Sequence, residues 1–181
     1  MAIIVDSYSE SNVIDAIGIG NIDTQSGQSF SVSVGGTLNS CAFYLFQDGS
    51  PTGYCYAKIY AHSGTYGTSS LPTGDALAVS DAVDVSTLDI NGALKTFTFS
   101  GGNKITLSDS TYYVVSFAYT RESAGQLAFI GICGNGHAGN RSYFTNAWYS
   151  DANSDDAFYI YKDSATSIKD IIQSGIVVFP R

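Results

Sequence analysis

The run at residues 38–61 constrains the fold more than any other stretch of the chain. Leu38-Asn-Ser-Cys-Ala-Phe-Tyr-Leu-Phe-Gln47 and Tyr54-Cys-Tyr-Ala-Lys-Ile-Tyr-Ala61 are dense in aromatic and β-branched residues, and Asp48-Gly-Ser-Pro-Thr-Gly53 between them is turn chemistry. The pattern predicts a β-hairpin. In its second strand Cys55, Ala57 and Ile59 alternate with Tyr54, Tyr56, Lys58 and Tyr60, so one face enters a core and the tyrosine face meets water or a partner.

The same alternation recurs along the chain between clusters of Gly, Ser, Asn and Asp. It predicts strands near 2–6, 13–19, 28–34, 37–47, 53–61, 76–85, 94–100, 111–120, 126–133, 141–149, 157–161 and 175–179. Glu10 and Glu122 are the only glutamates and Met1 the only methionine, so strong helix formers are scarce. One helical turn is expected at residues 167–173, where Ser167 and Asp170 have capping-box spacing and Gly175 supplies a stop. Many short strands with no helices to cover a parallel sheet imply an all-β fold, an antiparallel two-sheet β-sandwich of jelly-roll type. At 181 residues it is expected to be a single domain spanning 1–181. Residues 62–75 form the longest strand-free stretch, and such loops are often functional.

Only 13% of residues are charged while 44% are hydrophobic, which excludes the composition of a disordered chain. A net charge of −8 with scattered Lys58, Lys95, Lys104 and Arg141 argues against a nucleic-acid backbone as partner and disfavours an anionic membrane surface. No run reaches the roughly 20 apolar residues of a membrane span. Residues 1–5 lack the basic region and cleavage site of a signal peptide, so synthesis in the cytoplasm is expected. Cys41, Cys55 and Cys133 are odd in number, and in the expected hairpin Cys41 lies too far along its strand to reach Cys55. All three are expected as buried thiols.

Gly134-Asn-Gly-His-Ala-Gly139 has the glycine spacing of a dinucleotide-binding turn, but a phosphate site needs a helix opening there and a strand-like run follows. Asp151-Ala-Asn-Ser-Asp-Asp156 resembles the start of a calcium loop and makes Asp151, Asn153, Asp155 and Asp156 candidate ligands. Its turn glycine is replaced by Asp156, however, and Lys162 stands where a bidentate glutamate belongs. Calcium is thus the one cofactor under consideration; otherwise none is expected. No Gly-x-Ser-x-Gly elbow occurs, His62 and His137 have no second histidine at metal-ligand spacing, and no catalytic residues are assigned. Asn140-Arg-Ser142 fits a glycosylation acceptor, which matters only in a secreted chain.

The 13 tyrosines are the strongest functional hint, because exposed aromatic rings stack on sugars or anchor interfaces while their polar tips tolerate water. Tyr54, Tyr56 and Tyr60 are the candidate interface. Arg141, Tyr143, Trp148 and Tyr149, with His137 in the neighbouring glycine-rich loop, are the candidate glycan site.

Gly49-Ser-Pro-Thr-Gly53, Ala57-Lys-Ile-Tyr-Ala-His-Ser-Gly64, Leu71-Pro-Thr-Gly74, Asp84-Val-Ser-Thr-Leu88 and Thr111-Tyr-Tyr-Val-Val115 carry a resemblance over roughly residues 25–120. In their order and spacing they resemble a jelly-roll β-sandwich module of tailed-phage structural proteins and bacterial surface proteins, similar in architecture to carbohydrate-binding modules. The resemblance implies a non-enzymatic virion component, a capsid decoration or tail-associated protein. Such a protein is made in the host cytoplasm and partnered by other virion proteins or by copies of itself in a homo-oligomer. The alternative is a glycan-binding module that attaches a particle or cell to polysaccharide at an extracellular surface.

Overall fold

Alternating segments resolve into strands in a computed structural model that describes residues 1–122 and 125–164. These are β1 (Ala2–Tyr8), β2 (Val13–Ile19), β3 (Gln25–Val32), β4 (Gly36–Asp48), β5 (Tyr54–Ser63), β6 (Leu71–Val79), β7 (Val83–Asp84) and β8 (Ala93–Thr98). They continue with β9 (Thr106–Leu107), β10 (Thr111–Tyr119), β11 (Leu127–Gly134), β12 (Arg141–Phe144), β13 (Trp148–Asp151), β14 (Ser154–Asp156) and β15 (Phe158–Asp163). Among the described residues there is no α-helix. The strand expected at 175–179 and the helical turn at 167–173 lie outside the described residues.

Two antiparallel sheets face each other in a β-sandwich consistent with a jelly-roll-like architecture. The first runs β1-β15-β4-β11-β14, with β2 on β11 and both β8 and β9 on β4. The second runs β13-β12-β3-β10-β5-β6, with β7 on β5. Their inner faces interdigitate as the alternation requires. Phe43 of β4 and Phe97 of β8 meet Phe117 of β10 in an edge-to-face triad with centroids 6.0–6.2 Å apart, and all three rings are buried. Edge-to-face packing suits the ring quadrupoles and fixes the spacing of the two sheets.

The expected hairpin is an arch. β4 lies in the first sheet and β5 in the second, so residues 49–53 carry the chain across the sandwich instead of turning it back. Local chemistry is common to both geometries: Gly49 has a φ of 73° and Gly53 of 89°, conformations that glycine alone adopts cheaply. Partner availability decides between them. β4 is flanked by β8, β11 and β15, and β5 by β10, β6 and β7. Cys41 and Cys55 therefore sit on facing sheets, and both are free, as is Cys133.

Two further expectations are corrected. The single strand at 141–149 is a tight hairpin of β12 and β13, pairing Tyr143 with Tyr149 and Phe144 with Trp148. The loop at 62–75 is shorter, because Leu71, Pro72 and Thr73 pair with Ser63, His62 and Ala61. Farther along that pairing, residues 74–77 bulge out opposite the lone Tyr60. The bulged β6 packs over the second sheet against β13, and Tyr60 meets Trp148 edge to face at 5.8 Å. Curling hides most of this sheet's outer face: Ser29, Val114, Ser116 and Ser142 are all buried.

Candidate functional site

Pleating separates the residues expected to form one aromatic site. Arg141, Tyr143 and Tyr149 turn toward the first sheet, while Trp148, adjacent in sequence to Tyr149, points to the opposite face against Tyr60 and Phe144. Tyr143 and Tyr149 stack with centroids 5.5 Å apart, and the Arg141 guanidinium lies 5.5 Å from the Tyr143 ring. Arg141 is only 4% exposed, so it is not a free cation for a ligand. Its Nε donates to the Asp156 carboxylate at 3.2 Å and to Ser26 Oγ at 3.0 Å, and Nη1 reaches Asp151 at 3.3 Å. The pair spans the sandwich, from β12 of the second sheet to β14 of the first.

The calcium-loop residues are consumed by the same network. Asp156 is fully buried, and burial pushes its carboxyl up to about 6 against the pull of Arg141 and Ser26. Asp151 accepts from the Asn153 amide at 3.0 Å as well as from Arg141. Burial works to raise its pKa, but the hydrogen bonds from Ser154 and Asn153 and the charge of Arg141 hold it below the ordinary value. Asp151 and Asp156 are thus brought together around a guanidinium, and a cation here would have to displace it. Among the described residues, no group of three or more His, Cys, Asp or Glu side chains is placed to hold a metal.

Asp155 explains the glycine-rich turn. Its fully buried carboxylate accepts from the backbone amides of Gly136 at 3.0 Å and His137 at 2.9 Å, and from Gln28 Nε2 at 2.9 Å. The loop at 134–139 does form an anion nest, and a carboxylate of the same chain fills it. Gly139 is needed because a Cβ there would collide with the Ser29 carbonyl. His137 is committed on both nitrogens. Nδ1 accepts from the Gly139 amide at 3.0 Å, and Nε2 donates to Asp6 at 3.1 Å. Burial acts to raise the Asp6 pKa, yet the His137 hydrogen bond and the Ser31 amide bring it below the ordinary value. This chain of polar groups joins β1, β3, β12 and β14.

Of the candidate interface tyrosines, Tyr54 is 60% exposed and Tyr56 partly exposed, whereas Tyr60 is only 7% exposed and donates its hydroxyl to Gln25. Tyr54, Tyr56 and Lys58 line a shallow groove of about 230 Å³. Tyr60 is corrected to a closing residue of the curled sheet.

Sequence reasoning missed the outer face of the first sheet. Tyr44, Phe46, Phe129, Tyr159 and Tyr161 are half-buried there, between fully buried neighbours that point inward. Phe46 and Phe129 are cross-strand partners whose rings stack at 4.9 Å with planes 6° apart, and Tyr159 and Tyr161 stack at 6.2 Å. Exposed Leu94 and Ile4 extend the row, being paired with Tyr44 and Tyr161. A detectable signal lay in β4, where Cys41, Phe43 and Leu45 alternate with Ala42, Tyr44 and Phe46: neither face is polar.

The loop at 64–70 lies down on the second sheet. The Ser70 amide donates to Asn140 Oδ1 at 3.1 Å, and Ser70 Oγ is 2.9 Å from His62 Nε2. This places Tyr66 on Tyr112 with centroids 4.1 Å apart and planes 13° from parallel, beside His62. Compared with known families, curated proteins and solved structures, the chain has no match.

Proposed function

We propose that this protein is a non-enzymatic structural component of a virion surface, of capsid-decoration or tail-associated type, that works by contact with copies of itself. The observation that carries the reading is the aromatic outer face of the first sheet. Antiparallel sheets normally turn a polar face to water, whereas this face sets the Phe46–Phe129 stack, the Tyr159–Tyr161 pair, Leu94 and Ile4 in one row. Contiguous apolar patches of this kind mark interaction surfaces, and tyrosine hydroxyls give such a surface tolerance to water before assembly. Closed symmetry lets one such patch serve both partners. The resemblance of residues 25–120 to phage and surface jelly-roll modules supplies the context: synthesis in the host cytoplasm and a place on the particle.

Size-exclusion chromatography with light scattering tests the reading. A discrete homo-oligomer is expected. A net charge of −8 opposes self-association, so added salt should strengthen it by screening. A monomer at all concentrations and salt levels contradicts the proposal.

A further inference from the structure

We propose that the corner formed by Tyr112, Ser31 and the β3–β10 end of the second sheet is a binding site for a neutral saccharide. This site is separate from the assembly face, which lies on the opposite sheet, and does not depend on it.

A cavity of about 270 Å³ opens there, lined by Ser31, Val32, Ser33, Ser110, Thr111 and Tyr112. Small-molecule pockets start near about 300 Å³, so the space suits one sugar ring or the end of a chain. Five of the six lining residues carry hydroxyls, and none carries a charge or an amide side chain; Ser31 and Thr111 already donate to Asp6 and to the Asp109 carbonyl and offer acceptor lone pairs, while Ser33, Ser110 and Tyr112 offer both roles. A ligand that matches this lining offers hydroxyls around its rim and an apolar C–H face, which describes a pyranose without carboxylate or sulfate.

Tyr112 supplies the flat wall. It is 46% exposed, and its ring is held by the stack on Tyr66 and the contact with His62. Burial keeps His62 below the ordinary histidine pKa, so the cluster is uncharged at neutral pH. The loop carrying Tyr66 is fixed by Asn140, and Thr68 accepts a hydrogen bond from Ser150 at 3.3 Å. A platform held in this way loses little entropy on binding. Its construction is costly elsewhere. The Tyr66 hydroxyl is buried beside Ser31 at the cavity rim, and Ser110 adopts a φ of 51°, a left-handed conformation disfavoured outside glycine. Such costs concentrate at sites shaped for a ligand.

Affinity electrophoresis through gels containing soluble starch, mixed-linkage β-glucan, galactomannan or xylan tests the site, with alginate as the anionic control. Retardation by at least one neutral polymer and none by alginate is expected. Tyr112→Ala should weaken it about tenfold or more, the loss expected for one stacking ring, while Tyr112→Phe and Tyr149→Ala retain it. Matching melting curves establish that Tyr112→Ala is folded; if it is not, Ser33→Trp, which fills the cavity from the strand end, replaces it with the same expected loss. Phe46→Lys, which disrupts the assembly face, should leave the retardation unchanged, so the two proposals fail independently. No retardation by any neutral polymer, retardation by alginate alone, or retardation insensitive to both cavity variants overturns the proposal.

Discussion

Arg141 and Asp156 meet across the two sheets, Nε to carboxylate oxygen at 3.2 Å, with the carboxylate wholly buried. Removing one member of such a pair strands the other charge out of water. Arg141→Ala is expected to lower unfolding free energy by about 3–5 kcal/mol, read from urea denaturation. Replacing both together, Arg141→Met with Asp156→Leu, should recover most of the loss, because the wholly buried charge leaves with its partner and only the partly exposed Asp151 carboxylate loses a contact. A double variant as unstable as the single would show that Asp151 and Ser26 depend on the pair.

The same carboxylate sets a pH dependence with an unusual sign. Burial raises Asp156 in the folded state to about 6 from the ordinary 3.8, so the folded protein binds the proton more tightly than the unfolded chain does. Stability should therefore begin to rise as pH falls through about 6 and go on rising toward the ordinary carboxylate value of 3.8, below which the contribution of Asp156 is complete. Asp6 and Asp151 are shifted the other way, and their stabilisation is present above the ordinary carboxylate value and lost as pH falls through their lowered values. The result is a maximum on the acid side of neutrality. Thermal melts across pH should show it, and Asp156→Asn should flatten the rise between neutral pH and about 5.

The arch between β4 and β5 makes a sharper demand on sequence than a hairpin turn would. Gly49 has a φ of 73°, and a Cβ there would run into the Gly125 carbonyl. Gly49→Ala is expected to cost about 1–3 kcal/mol, with both left-handed strain and the clash contributing. An unchanged denaturation midpoint would mean that the arch relaxes freely.

All three thiols should titrate after denaturation without reductant, and none should react quickly in the native protein. Burial raises each thiol pKa, to about 12 for Cys55 and Cys133 and higher for Cys41, so little thiolate forms at neutral pH. Rapid labelling of the native protein by a thiol reagent would place a cysteine at the surface.

The strands were legible because β-periodicity is local. Segments expected at 13–19, 37–47 and 111–120 fall within a residue of β2, β4 and β10. Pairing was not legible, since Asp48-Gly-Ser-Pro-Thr-Gly53 has the same composition whether the next strand returns to β4 or crosses to the other sheet. The aromatic site failed on a point that alternation alone could have raised: Trp148 and Tyr149 are consecutive in a strand and must face opposite ways. Burial of Arg141 and Asp156 depends on contacts made between β12 and β14, which no spacing in the chain announces. The strand-free stretch at 62–75 carries Tyr66, but the Tyr112 ring it stacks on comes from a distant strand.

Hydroxyl-radical footprinting of dilute and concentrated protein tests the contact face most directly, because oxidation of each aromatic ring reports its own exposure. Labelling of Phe46, Phe129, Tyr159 and Tyr161 is expected to fall as the protein assembles, while Tyr54 and Tyr149 on the other side of the sandwich stay reactive. Equal labelling of the four rings at both concentrations, or protection of Tyr54 and Tyr149 in their place, would contradict the assignment of the first sheet's outer face as the surface through which this protein works.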